Sequence, residues 1–281
     1  MLFDYWQKSA SSMPAEPGAE RRTRMALLNE AQALTFTGED VLSFLQGYFT
    51  CDLSRLREDS YTPTALTNLK GRVVANGWSH LGAEHQVNWI LHRSLTARVA
   101  EFMKPYLAFS RTTLQPRDDD HLIIGSWSDA STSAPAPLIV DSAAAIDSLF
   151  QQHTAVSEQQ WKQRCISTHV VMVNEVTAEQ FLPQMLGLVQ LGAVDFDKGC
   201  YLGQEVVARA QHRGQVKRSL KILEYQSANG PEAGSTVTDS AGADAGTIVA
   251  AAGNRCLAVL GVKAVGPYLC RNLPMSEVSD R

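Results

Sequence analysis

The chain has 281 residues, more than one ordinary domain requires, and its apolar share of 44% is enough to build sizeable cores. A formal net charge of -4 excludes bulk electrostatic binding of nucleic acid, which needs many cations presented together, although a local basic patch stays open. Five scattered cysteines, Cys51, Cys165, Cys200, Cys256 and Cys270, form no C-x-x-C pair and fit reduced thiols in a cytosolic protein, without a disulfide framework or a cysteine-rich zinc site.

Met1 to Arg24 carries Asp4, Lys8, Glu16 and Glu20 and no continuous apolar core, so it reads as a loose lead-in and as neither signal peptide nor anchor. No stretch approaches the roughly 18 apolar residues of a membrane span. The fold proper begins near Met25. Leu34 to Phe36 is a strand, and Thr37-Gly38-Glu39-Asp40 starts a helix carrying Val41, Phe44, Leu45 and Tyr48. Two strands, Thr64 to Thr67 and Arg72 to Trp78, are joined by Asn68-Leu69-Lys70-Gly71, a tight turn. Val87, Trp89 and Leu91 alternate as a further strand. Ser94 caps a helix with Leu95, Val99, Phe102, Met103 and Tyr106 on one face, and Pro105 limits its end.

Leu122 to Ile124 and Leu138 to Val140 are strands separated by a Ser/Ala/Pro-rich loop, Ser126 to Pro137, and Ile146, Leu149 and Phe150 mark a helix. Ser157 to Gln160 opens another helix, which carries Trp161, and His169 to Val173 reads as a buried strand. From Lys217 the texture changes to short strands, Leu220 to Tyr225, Thr236 to Thr238, Gly246 to Ala251 and Leu257 to Val262, with no helix between them. The pattern predicts α+β or α/β layers followed by a small all-β, barrel-like module from about residue 214.

Phosphate-loop, dinucleotide-binding, zincin and α/β-hydrolase motifs are absent, and the seven histidines show no ligand spacing. The stretch that carries chemistry is Lys198-Gly199-Cys200-Tyr201-Leu202-Gly203-Gln204-Glu205. A thiol two residues from a lysine and just ahead of a short cationic helix is a candidate for thiolate stabilisation by an ammonium and a helix N-terminus. The alternative is a small residue packed after a glycine turn. Gln204 and Glu205 form a polar pair at the helix entry, and Glu205 can pair with Arg209 one turn on. Arg209, Arg213, Lys217, Arg218 and Lys221 follow with no acid among them from Val206 to Lys221, as either a solvated face or an anion-binding edge for a carboxylate tail, a phosphate or RNA. Trp161 is either core or a platform for a flat ligand. Asn68, Lys70 and Arg72 carry the same ambiguity, since turn chemistry already accounts for Asn68 and Gly71.

The run Lys198 to Glu205 resembles the K-G-C-[FY]-x-G-Q-E signature of the YgfZ family, relatives of the glycine-cleavage T-protein. Supporting similarity lies in Gly38-Glu39-Asp40, Phe44 to Gly47, Thr50-Cys51-Asp52, Lys70-Gly71-Arg72, Tyr106 to Ser110 and Phe181 to Gln184, over roughly Leu28 to Leu223. The resemblance implies an α+β, ring-like T-protein fold around a folate cavity over residues 25–213, in two interleaved subdomains, with a C-terminal β-barrel over 214–281. It further implies binding of tetrahydrofolate or a related folate and support for the assembly or repair of iron–sulfur enzymes, including those that modify tRNA. Cys200 is the central residue on this reading, with Lys198 favouring its charged form, Trp161 holding the pterin and Arg209 and Arg213 receiving an anionic group. The implied partners are folate and iron–sulfur client or assembly proteins.

Two alternatives stay open: a one-carbon, aminomethyl-type transferase using Asp52 or Glu205 as its carboxylate, and direct tRNA binding through Arg209 to Lys221. Two departures accompany the resemblance. A second folate-contacting tryptophan of bacterial relatives falls at Ala31, and Ser167-Thr168-His169 replaces a stretch that helps shape the folate site in T-proteins.

Overall fold

The structure, a computed structural model, describes residues 1–11, 23–58, 60–117, 121–214 and 216–278. The chain runs through α1 (Leu2–Ser11), β1 (Thr23–Leu27), β2 (Ala31–Thr37), α2 (Val41–Gln46), β3 (Thr62–Thr67), β4 (Val73–Leu81), β5 (Gln86–His92) and α3 (Thr96–Leu107). It continues with β6 (Thr113–Pro116), β7 (Leu122–Ser128), β8 (Ala136–Val140), α4 (Ala143–Gln152), β9 (Thr154–Ala155), α5 (Glu158–Ser167) and α6 (Gln204–His212). The last strands are β10 (Arg218–Tyr225), β11 (Thr236–Thr238), β12 (Asp244–Ala252), β13 (Arg255–Gly261), β14 (Tyr268–Cys270) and β15 (Leu273–Glu277).

These strands form a five-stranded sheet in the order β3-β4-β5-β2-β6, a four-stranded sheet β8-β7-β1-β9 and a closed barrel β10-β13-β12-β11-β14-β15. β1 and β2 are consecutive yet belong to different sheets, so the short turn between them, Leu28 to Glu30, joins the two α+β units. The main core is centred on Phe36, Phe49 and Trp89, with Phe49 edge-on to Phe36 at 5.9 Å and tilted on Trp89 at 4.7 Å. The barrel fills its own interior with Leu223, Val237, Ile248, Cys256 and Tyr268, all buried. β14 and β15, which close it, are too short to show a period in sequence.

Several expectations need correction. The N-terminal lead-in contains α1, because Leu2, Tyr5 and Trp6 fall on one helical face; Trp6 is buried against Phe150, and Tyr5 donates to Asp147 at 2.7 Å. The rest of that expectation, residues 12–22, lies outside the described residues. Ser94 does not cap α3. Its hydroxyl bonds His92 Nδ1 at 2.8 Å and accepts from the Glu175 amide, while a 3₁₀ turn, Arg93–Leu95, leads into the helix. Pro105 lies inside α3, two residues before its end. Residues 169–173 are no strand although Val170, Val171 and Val173 are buried: Asn76 on β4 donates to the Val171 carbonyl at 2.8 Å and accepts from the Val173 amide at 2.9 Å. One side-chain amide thus replaces the ladder partners that a buried backbone segment requires.

Candidate functional site

The site is built first on α5. Ser157 caps it in a reciprocal capping box, accepting from the Gln160 amide at 3.3 Å while Gln160 Oε1 accepts from the Ser157 amide at 3.2 Å. That fixed start sets the phase of Glu158, Trp161, Lys162, Cys165 and Ile166, spaced i, i+3, i+4, i+7 and i+8, and all five line one cavity of about 240 Å3. Opposite α5 stand Leu28 and Ala31 from the β1–β2 connection, Trp78 and His92 from the larger sheet, Val170 to Met172, and Val249 to Ala251 from barrel strand β12. The cavity therefore opens where the two sheets and the barrel meet.

Trp161 is a core residue that also borders the cavity. It is buried, tilted on Trp127 with 5.8 Å between ring centroids, and it also faces the cavity. Its indole lies directly over Gly125 of β7, where a Cβ would come within 2.3 Å of Cε3, so the strand needs a glycine there. Ala31 lies in the opposite wall, and Trp78 supplies another indole from β4.

The charged side chains of the cavity lining gather around Glu30. Pairing of Ala31 with His92 in the β2–β5 ladder brings Glu30 beside the end of β5. Glu30 Oε1 accepts from Lys162 Nζ at 2.6 Å, and Oε2 lies 3.6 Å from His92 Nε2. The imidazole and the ammonium together hold the Glu30 carboxyl down to about 2. Glu158 spends its two oxygens on the turn, accepting from the Glu30 amide at 3.1 Å and from Asn29 Nδ2 at 3.1 Å. Cys165, in the same wall, is a neutral thiol because burial pushes it up. The α5 members of this set are readable from their helical spacing around Trp161. Glu30, His92 and Trp78 are not, because only strand register brings them there.

The signature loop stands elsewhere. The Lys198 ammonium is buried and donates to three backbone carbonyls, of Gln46 at 2.8 Å, Phe49 at 2.6 Å and Cys51 at 2.8 Å. This corrects the expectation that Lys198 favours the Cys200 thiolate: an enclosed ammonium must find acceptors, and the carbonyls where α2 ends supply them. Burial also lowers the Lys198 pKa. Cys200 itself is exposed, with Gly203 standing between it and the first turn of α6. Gly203, at φ 83°, packs on the β3–β4 turn, where a Cβ would meet the Asn68 carbonyl at 2.3 Å, and Thr67 Oγ1 donates to the Leu202 carbonyl at 2.5 Å. Lys198 and the loop are thus one structural clamp on α2 and that turn.

The remaining candidates also lie outside the cavity lining. Asn68 organises its turn, accepting from the Lys70 and Arg72 amides and donating to Glu179 at 2.8 Å, while Arg72 donates to the Gln180 carbonyl at 2.5 Å. Both line a separate surface groove with Phe102 and Tyr106. Asp52 accepts from Gln46 at 2.9 Å and from Ser54, which hold its carboxyl below the usual range. Gln204 opens α6, Glu205 pairs with Arg209 at 2.8 Å, and Arg213 ends the helix. The basic run that lacks acids in sequence meets them in space: Arg218 pairs with Asp244 at 3.6 Å and Lys221 with Glu277 at 2.6 Å. Among the described residues no helix is long and apolar enough to cross a membrane, and no cluster of three or more His, Cys, Asp or Glu could hold a metal ion.

Two sheets and a closed barrel give the chain a fold like that of the glycine-cleavage T-protein. The chain superposes on glycine cleavage system aminomethyltransferase T from Bartonella henselae with a TM-score of 0.68 over 98% of this chain and 88% of that one, at 10% sequence identity. No protein-family model matches the chain. In sequence it is 30% identical over 260 residues to the tRNA-modifying protein YgfZ of Shigella dysenteriae serotype 1, covering 79% of this chain and 78% of that protein. It is 29% identical over 280 residues to the YgfZ proteins of Shigella sonnei and Escherichia coli O127:H6, covering 85% of this chain and 84% of each. The chain belongs to the YgfZ family.

Proposed function

We propose that the chain binds a tetrahydrofolate-type ligand in the cavity beside Trp161 and, like the relatives named tRNA-modifying proteins, serves tRNA modification indirectly, by supporting the assembly or repair of iron–sulfur enzymes. The observation that carries the reading is the cavity itself: two indoles, a largely apolar wall and a cluster of charged groups around Glu30, at the junction of a T-protein-like fold. The indoles and the apolar wall fit a reduced pterin, whose flat ring stacks on indole. At about 240 Å3 the cavity is slightly smaller than the ~300 Å3 lower bound of sites enclosing a whole drug-sized ligand, so it takes the ring and leaves a tail at the edge.

The ion pairs that spread through the basic run, together with the net charge of -4, favour an indirect route over direct RNA contact. Asp52 and Glu205, the carboxylates read from the sequence for a one-carbon transfer, stand outside the cavity lining, and the Glu30 and Glu158 carboxylates that line it are engaged by Lys162, His92 and the Asn29–Glu30 turn, so ligand binding without turnover is the favoured reading. Cys200, the exposed thiol of the signature loop, is then the group that meets a partner.

Isothermal titration with tetrahydrofolate under anaerobic conditions tests the ligand. Saturable binding that Trp161→Leu weakens about tenfold or more supports the reading, and undiminished binding by that variant contradicts it. For the partner role, Cys200→Ala is expected to fold normally and to lose complementation of an iron–sulfur-deficient strain. Full complementation would remove Cys200 from the account.

A further inference from the structure

The polar edge of the cavity has an arrangement that ring binding alone does not require. Lys162, on α5, and His92, at the end of β5, both face one carboxylate, that of Glu30. The two bases are the more enclosed members: their side chains are 34% and 19% exposed, against 51% for Glu30. They are also the better anchored. Lys162 rises from a helix with a fixed cap, and His92 Nδ1 accepts from the Ser94 amide at 3.3 Å, which keeps the proton of the neutral ring on Nε2, the side that faces Glu30. Glu30 stands on the turn between the two sheets, and a half-exposed ion pair of this kind contributes little net stability. A carboxylate arriving from the cavity can therefore replace Glu30 at small cost and retain both charge-assisted contacts.

Resting on the assignment of a reduced folate ring to this cavity, we propose that Lys162 and His92 form a subsite for a carboxylate on the ligand's tail. Glu30 occupies that subsite from within the chain until the ligand arrives. The cavity then selects a ring that bears an acidic tail, of the acyl-glutamate type, over the bare ring. Glu158 acts differently, since both its oxygens hold the Asn29–Glu30 turn, and so it positions Glu30 without competing for the bases.

The test compares two probes by isothermal titration: tetrahydrofolate, which carries the tail, and 6-methyltetrahydropterin, which lacks it. The unaltered protein is expected to bind tetrahydrofolate about tenfold more tightly, since the tail gains two charge-assisted contacts, each able to change affinity by about that factor, and the Glu30 pairing it displaces offsets part of the gain. Lys162→Ala should lower the ratio severalfold and leave pterin affinity within about twofold. Glu30→Gln removes the internal competitor and should tighten tetrahydrofolate binding severalfold with no change for the pterin; it also keeps the proposal testable if Lys162→Ala does not fold. Equal weakening of both probes by Lys162→Ala, or weaker tetrahydrofolate binding in Glu30→Gln, would overturn the subsite while leaving the ring assignment in place. Failure of both probes to bind the unaltered protein would instead overturn the ring assignment, and the subsite with it.

Discussion

Lys198 shows how one side chain can carry the appearance of catalysis and the work of structure. Two residues from an exposed thiol, its ammonium is satisfied by the carbonyls of Gln46, Phe49 and Cys51. Lys198→Met removes the donor and strands those carbonyls in a dry site, which should destabilise the fold by about 2–4 kcal/mol, read as a lower urea midpoint at unchanged slope. An unchanged midpoint would return Lys198 to the chemistry of Cys200. Glu30 makes a pH-dependent contribution. Its carboxyl ionises at about 2 in the folded chain, below its ordinary 4.5, so the stabilisation is fully present above pH 4.5 and is lost as pH falls through about 2. Solvent screening holds it to about 1 kcal/mol. Glu30→Gln should therefore lower stability slightly at pH 7 and converge with the unaltered protein near pH 2, a trend that urea unfolding at several pH values would measure.

At the scale of elements, legibility follows the range of the interaction that fixes each one. The capping box at Ser157, the Asn68 to Gly71 turn and the Glu205–Arg209 pair depend on residues within four positions of one another, and all three form. The strand read over 169–173 failed because its backbone partner is a side chain, Asn76, some ninety positions away in sequence. The same holds for the site. The cavity face of α5 is written in its own spacing, whereas Glu30 and His92 meet only through the β2–β5 register, and Lys198 turns inward because α2 ends beneath it. The contact of Gly125 with Trp161 is another such pairing, between β7 and α5. Gly125→Ala should push the indole from its seat, lowering stability by about 1–3 kcal/mol and weakening tetrahydrofolate binding in parallel. A variant with unaltered melting temperature and unaltered affinity would show that the indole can move freely.

Over the whole molecule, the cavity belongs to no single unit: Trp78 and His92 come from the larger sheet, Trp161 and Lys162 from α5, and Val249 to Ala251 from the barrel. A ligand held there links all three, and ligand at 100 times its Kd should stabilise the folded chain by about 2.7 kcal/mol. The signature loop lies instead against α2 and the β3–β4 turn, so the cavity and the exposed Cys200 occupy different places on the protein. That separation fits a protein that binds folate at its centre and presents a thiol at its surface. The most direct test is a crystal structure of the chain with tetrahydrofolate. The account predicts the reduced ring in the cavity against Trp161, with its tail at the Glu30–Lys162 edge. Ligand density in the groove beside Asn68 and Arg72, or against Cys200, with none in the cavity, would contradict it.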